Sequence, residues 1–181
     1  MTTVFTIGHG SRPLEEFIAL LKMAGVRCLV DVRAYPASRR HPQFALETLG
    51  NSPAAAGISY VWEGKMMGGR RRVWKNSPHA ALRNDSFRAY ADHMMTKGFQ
   101  RALGALIECA SRSGTAIMCA KRLPWQCHRF LISDSIAARG ATVVHLVGEK
   151  ATLRHNINPV ARLLENGMLL YNGRIRGEFD L

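Results

Sequence analysis

The chain has 181 residues, 47% of them apolar, enough for one independently folding domain with a sizeable core. Lysine and arginine outnumber aspartate and glutamate by 25 to 13, a net charge of +12 that points to an anionic partner. Collagen, coiled coil, a zinc-finger array and wholesale disorder are excluded by composition, and no run approaches the ~18 apolar residues that cross a bilayer.

The first five residues carry no basic region ahead of their apolar stretch, which argues against a signal peptide. The four cysteines, Cys28, Cys109, Cys119 and Cys127, form no extracellular disulfide pattern in a chain of this length. A cytoplasmic protein with reduced thiols and no membrane partner is the expectation.

Strands and helices alternate along the chain. Thr3 to Ile7 reads as a β-branched strand ending at Gly8-His9-Gly10. Leu14, Phe17, Ile18 and Leu21 then repeat at helical spacing, after Pro13 and before Gly25. Cys28 to Val32 is a second strand and Ile58 to Trp62 a weaker third. Asn84-Asp85-Ser86 supplies cap chemistry for a helix carrying Phe87, Tyr90, Ala91 and Met94, with an interruption expected at Gly98. Phe99, Ala102, Leu103, Leu106 and Ile107 resume the helical spacing. Thr115 to Cys119 is a fourth strand, a helix runs from about Cys127 to Gly140, and Thr142 to Val147 is a fifth strand. A short helix is expected around Pro159 to Leu164. The pattern predicts a single α/β domain over residues 1–181: a mainly parallel sheet of about five strands between helical layers, a three-layer sandwich. A long irregular basic insertion is expected around residues 34–84.

In such a sheet, ligands bind where the loops converge beyond the carboxyl ends of the strands. Three strand ends carry chemistry: Gly8-His9-Gly10, Asp31-Val32-Arg33 and Cys119. Asp31 and Arg33 lie two apart and can share one face, where the carboxylate suits orienting a donor or a water. The same pair serves as a structural ion pair at the sheet edge. Ser38, Arg39 and Arg40 follow in a proline-stiffened loop, and Arg33 and Arg39 suit bidentate phosphate binding.

Cys119-Ala120-Lys121-Arg122-Leu123-Pro124-Trp125-Gln126-Cys127-His128-Arg129 joins a strand end to a helix start, where anions are favoured and a cysteine becomes more acidic. His128 suits acid or base work near neutral pH, and Arg129 suits anion binding. A phosphatase-type loop needs arginine at the sixth position after the cysteine; Trp125 stands there. Zinc-finger spacing is absent, so no metal or cofactor is demanded. Cys119 and Cys127 read first as inert core residues, the common case for buried cysteine, ahead of a nucleophilic or redox role. From Lys65 to Lys75, around Gly68-Gly69-Arg70, there are five basic residues and no acidic one, a run able to follow phosphates while Trp74 stacks on a base.

Thr6-Ile7-Gly8-His9-Gly10, Asp31-Val32-Arg33-x-x-Pro36-x-Ser38-Arg39, Phe44, Gly68-Gly69, Ser86-Phe87-Arg88-x-Tyr90-Ala91-Asp92, Met118-Cys119-Ala120 and Cys127-His128-Arg129 together resemble the family called domain of unknown function 488. The resemblance covers nearly the whole chain and implies a compact prokaryotic α/β domain without an assigned reaction. Lys121 stands where that family commonly has glutamate, and Met67 where it commonly has leucine.

Three functions fit these residues. In the first, an enzyme acts on nucleic acid or nucleotides by hydrolytic or base-processing chemistry. Asp31 is then its base or stabiliser, His9 or His128 its proton carrier, and Arg33, Arg39, Arg70 and Arg129 its phosphate grip. Gly8, Gly10, Ser38, Gly68, Gly69, Lys121 and Cys127 complete that expected site. The second function is nucleic-acid binding without catalysis. The third is thiol-dependent sulfur or redox chemistry on Cys119 and Cys127.

Overall fold

The computed structural model describes residues 1–37, 39–55, 57–149 and 151–173. A six-stranded sheet of order β3-β2-β4-β1-β5-β6 forms its centre. Its strands are β1 (Thr3–Gly8), β2 (Cys28–Asp31), β3 (Ser59–Trp62), β4 (Thr115–Cys119), β5 (Thr142–Gly148) and β6 (Ala151–Arg154). All neighbours are parallel except β5 and β6. The antiparallel edge strand β6, exposed along its whole length, is one strand more than the sequence suggested; a short polar run carries no burial pattern to betray it.

Side chains alternate between two cores, as the period of two requires. Val4, Val30, Ile117 and Val143 face one side, where α4 (Asp85–Met94), α5 (Lys97–Arg112) and α6 (Arg129–Ala138) cover them with Tyr90, Leu103, Leu106, Leu131 and Ile136. Ile7, Leu29, Met118 and Leu146 face the other, under α1 (Leu14–Met23) and α2 (Leu46–Ala55), which contribute Phe17, Leu20, Leu21 and Leu49. Each fully buried aliphatic or aromatic side chain contributes roughly 1.5–3 kcal/mol. The α/β sandwich is therefore held from both faces.

Local signals set the helix ends. Asn84 Oδ1 accepts from the Phe87 amide at 3.1 Å, capping α4 as its residue type predicts. The break after α4 falls at Met95 and Thr96 rather than at Gly98. Thr96 Oγ1 accepts from the Phe99 amide at 3.3 Å and starts α5, so Gly98 lies inside the first turn of that helix. Residues 159–164 are not helical. Ala161–Leu163 (β7) pairs with Leu169–Tyr171 (β8) across a turn in which Gly167 adopts φ +78°. Helical spacing over so short a segment does not distinguish the two outcomes. Residues 34–84 are less irregular than expected: they hold α2, β3 and a single helical turn, α3 (Gly64–Met67), with Leu49 and Ile58 fully in the core.

A buried polar chain joins the sheet to α6. Thr6 Oγ1 meets His145 Nδ1 at 2.7 Å, His145 Nε2 meets His155 Nδ1 at 3.0 Å, and His155 Nε2 meets Asp134 Oδ1 at 2.8 Å. The Tyr171 hydroxyl donates to Asp134 Oδ2 at 2.8 Å, and the Asn158 amide donates to Oδ1 at 2.9 Å. With Asp134 accepting from His155, every link has one consistent direction, ending in the Thr6 hydroxyl donating to His145. Burial, then the neighbouring His155 and Arg129, push the His145 pKa down to about 3. The folded protein thus keeps this ring neutral where the unfolded chain protonates it, so stability is full above pH 6.5 and falls as pH drops towards 3. Urea midpoints measured across that range should fall by the equivalent of a few kcal/mol, and His145→Gln should flatten the slope.

Candidate functional site

The chain leaves β1 towards α1 on one face and leaves β4 towards α6 on the other, yet β1 and β4 are neighbours. Their loops part above this pair and open a crevice, the usual ligand position of an open α/β sheet. The two loops continue the ladder: the His9 amide donates to the Cys119 carbonyl at 3.0 Å and the Gly10 amide to the Ala120 carbonyl at 2.9 Å. Glycine is required at position 8, because any Cβ there would run into the Lys121 carbonyl.

Asp31 is fully buried at the end of β2. Its Oδ1 accepts from the Arg33 amide and Nε at 2.9 Å; its Oδ2 accepts from Arg33 Nη2 at 2.5 Å and from the Tyr60 hydroxyl at 2.6 Å. The carboxylate is enclosed by donors and aims the guanidinium. Burial, reinforced by Asp31, raises the Tyr60 pKa, so its hydroxyl stays a donor. Arg33 Nη2 also donates to the Phe44 carbonyl at 2.8 Å, while Nη1 approaches His9 Nε2 at 3.5 Å. His9 Nδ1 lies 2.8 Å from the Gly10 carbonyl, so that nitrogen carries the proton and Nε2 faces Arg33 as an acceptor. Burial depresses the His9 pKa, and its ring stacks on Phe44 at 4.5 Å.

Cys119 ends β4 on the opposite face of the sheet, where it meets Cys127 and His128. The Sγ atoms of both cysteines and a ring nitrogen of His128 lie within 4.8 Å of one another. His128 Nε2 lies 2.9 Å from the Val32 carbonyl and donates to it, which leaves Nδ1 facing Cys119 Sγ at 4.0 Å, where it can take the thiol proton and then donate to the thiolate. The imidazole is held between the Tyr90 ring, centroids 4.8 Å apart, and Gly69, where a Cβ would stand 3.0 Å from Nδ1. The Tyr90 hydroxyl donates to the Met67 carbonyl at 2.5 Å, fixing that wall.

The Cys119 pKa lies well below its ordinary value. Cys127 contributes most, His128 and then Arg129 add to it, and burial opposes them; the Cys127 thiol itself donates to the Pro124 carbonyl at 3.8 Å. Cys127 is pushed the other way by its neighbour Cys119 and by burial, in keeping with a thiol that donates to the Pro124 carbonyl. Arg129, the last of these contributors, has an unusual setting. It is 1% exposed, its Nη2 donates to the carbonyls of Lys121 and Arg122, its Nε has no partner, and among the described residues it forms no ion pair. A buried cation without a counter-charge is costly, and the Cys119 thiolate is the anion available to it.

Two adjoining clefts, of about 270 and 560 Å³, share Arg33, Tyr35, Arg70, Ala120 and Lys121. Cys119, His128 and Gly69 line the smaller; His9, Gly10, Arg39, Arg40, His41 and Arg122 line the larger. No acidic residue lines either cleft among the described residues. Arg70 takes a left-handed backbone, φ 61°, and lays its guanidinium over the exposed Tyr35 ring at 5.3 Å from the centroid. A non-glycine residue held there is a strain that surrounding contacts must maintain. Next to it, Arg71 donates to the Gly68 and Lys65 carbonyls at 2.8 Å, and further on the Asp92 carboxylate accepts from the Trp74 amide at 2.8 Å and the Ser77 hydroxyl at 2.6 Å.

Of the residues expected at the site, His9, Gly10, Arg33, Arg39, Gly69, Arg70, Cys119, Lys121 and His128 line the joined clefts. Gly8, Asp31, Gly68, Cys127 and Arg129 are buried beneath or behind them. Ser38 lies outside the described residues. Arg71 and Arg129 donate to backbone carbonyls, a structural task the charge count did not distinguish from ligand binding. Sequence reasoning missed Tyr35, Tyr60 and the Val32 carbonyl. A lone exposed tyrosine, a tyrosine on a weak strand and a backbone oxygen leave no pattern in sequence.

Cys119, Cys127 and His128 have the donor chemistry of a soft-metal site. Their neighbours suit an anion better: the charge of buried Arg129 lowers the Cys119 pKa, and Arg33, Arg70 and Lys121 line the opening. Among the described residues no helix is long and apolar enough to cross a membrane.

Fold and site together define a doubly wound α/β protein with a cysteine–histidine pair in an arginine-lined crevice at the point where its connections change face. The chain belongs to the family described as "Domain of unknown function DUF488", whose model matches residues 13–136. That span holds Asp31, Cys119 and Cys127-His128-Arg129, while Gly8-His9-Gly10 precedes it. No curated protein and no solved structure matches the chain at a significant level.

Proposed function

We propose that the protein is an enzyme acting on a phosphate-bearing substrate, a nucleotide or a segment of nucleic acid, in which the Cys119 thiolate forms a bond to an electrophilic atom of the substrate as the bond to its leaving group breaks, and water then releases the product from the sulfur. The observation that carries this reading is the placement of Cys119 at a cleft, with His128 Nδ1 facing its sulfur at 4.0 Å. His128 Nδ1 takes the Cys119 proton when the thiolate forms and passes it to the leaving group, since its other nitrogen is committed to Val32. Arg39, Arg40, Arg70, Lys121 and Arg122 gather the substrate's anionic groups, and Tyr35 offers a flat exposed ring for a base. This reading moves the reacting group from Asp31, whose carboxylate is enclosed, to Cys119. Asp31 then acts as the positioning residue of Arg33.

Alkylation by iodoacetamide, mapped by peptide mass spectrometry with and without nucleotides or oligonucleotides, tests both halves. Cys119 should label rapidly at pH 6–7 and be protected by phosphate-bearing ligands, with protection weakened in Arg70→Ala and at high salt. Labelling that becomes fast only above pH 8 would remove the nucleophile. Fast labelling that no phosphate compound slows would remove the substrate class.

A further inference from the structure

The four thiols are sorted into two places. Cys28 opens β2 and pairs in register with Thr115 at the start of β4, and Cys109 Sγ lies 3.6 Å from Thr115 Oγ1. Cys119 is four residues further along β4, about 13 Å away at the rise of a parallel strand. Cys127 alone among the other cysteines shares its neighbourhood: the two sulfurs lie within 4.8 Å. Cys127 sits in the loop between β4 and α6, outside both elements. The sulfurs must come to about 2 Å for a bond, and a loop residue can make that move without breaking the sheet.

We propose that Cys119 and Cys127 form a hydroperoxide-driven dithiol–disulfide pair, with Cys119 the residue oxidised and Cys127 the residue that resolves it. The proposal rests on the thiolate reading above and adds its regulation. The Cys119 thiolate attacks one oxygen of a hydroperoxide; the O–O bond breaks, and with one proton taken up the products are Cys119 sulfenic acid and an alcohol or water. The sulfur loses two electrons and the peroxide gains them. The Cys127 thiol then attacks the sulfenic sulfur, an S–S bond forms, and hydroxide leaves with the Cys127 proton as water. An external dithiol reverses the step by exchange, releasing both thiols and becoming a disulfide itself.

The geometry favours a bond that is readily reduced. Forming the disulfide removes the negative charge beside Arg129 and strands that buried guanidinium, so the reduced pair is the stabilised state, as in strongly oxidising dithiols. Small peroxides reach Cys119 through the cleft it lines. Cys127 stays a protonated thiol, suited to second attack rather than first oxidation. The disulfide would silence Cys119 and shield it from irreversible oxidation while peroxide persists.

Intact-mass and non-reducing peptide analysis of the full chain after brief hydrogen peroxide treatment tests this. Wild type should lose two hydrogens, yield a Cys119–Cys127 linked peptide and recover all its alkylatable thiols with dithiothreitol. Cys127→Ser should instead gain oxygen, give a sulfenic acid trapped by a cyclic 1,3-dione, and pass to a form dithiothreitol does not restore. Stepwise oxygen gain in wild type without a linked peptide, a link confined to Cys28 and Cys109, or stoichiometric zinc on Cys119 and Cys127 would overturn the proposal. Rapid alkylation of Cys119 at pH 6 with no disulfide overturns the pair alone. Resistance of Cys119 to both reagents overturns the thiolate reading as well.

Discussion

Arg129→Met is expected to slow alkylation of Cys119 at pH 6 by about tenfold or more, while the rates converge above pH 9. The side chain is buried, makes no ion pair among the described residues, and helps hold the Cys119 pKa well below its ordinary value of 9.0. Removing a nearby buried charge from a thiolate readily moves its pKa by a unit, and each unit is a tenfold change in thiolate fraction below the pKa. Methionine keeps the apolar bulk in α6 but loses the bonds to the Lys121 and Arg122 carbonyls, so folding is checked by circular dichroism. Arg129→Lys retains the charge without the fork and should fall between the two. A folded methionine variant that alkylates at the wild-type rate at pH 6 would show that Arg129 is not the thiolate's counter-charge.

Asp31→Ala is expected to cost about 3–5 kcal/mol of folding stability, the usual penalty for stranding one member of a buried ion pair. Its carboxylate accepts the Arg33 amide and guanidinium and the Tyr60 hydroxyl, and all of these sit where β2, β3 and the following loop meet. Denaturant midpoints at neutral pH read the loss directly. The double variant Asp31→Leu/Arg33→Met, which removes both charges, should recover most of it, because desolvation of an ion pair offsets much of its attraction. Asp31→Asn likewise leaves the buried Arg33 guanidinium without its counter-charge and should lose stability in the same direction.

The contrast between Asp31 and Cys119 shows how far strand-end motifs can be read. Both stood out as unusual residues closing apolar strands, and both do close them. Their roles diverge through partners distant in the chain. Tyr60 lies 29 residues from Asp31, on the strand whose exposed pattern made it the weakest of the set. The Val32 carbonyl that fixes the ring orientation of His128 lies 96 residues before it. The same holds for His145 and His155, which carry no sequence signal yet form the spine between sheet and α6. Hydrogen bonds of this range follow no period, so propensity and spacing carry no trace of them.

The sequence by itself determined what is local or periodic. That includes the alternation of strands and helices, the two-faced burial of each central strand, the cap at Asn84, the stop at Gly25, and the loops that carry the candidate site. Tertiary structure alone decided which loops meet. The order β3-β2-β4-β1-β5-β6 seats β4 between β2 and β1, although 83 residues separate the end of β2 from the start of β4. That pairing brings Cys119 beside His9, Arg33 and Gly69. Strand pairing across such a separation is chosen by the burial of whole faces and by the closure of long loops, which are properties of the assembled sheet rather than of any one segment.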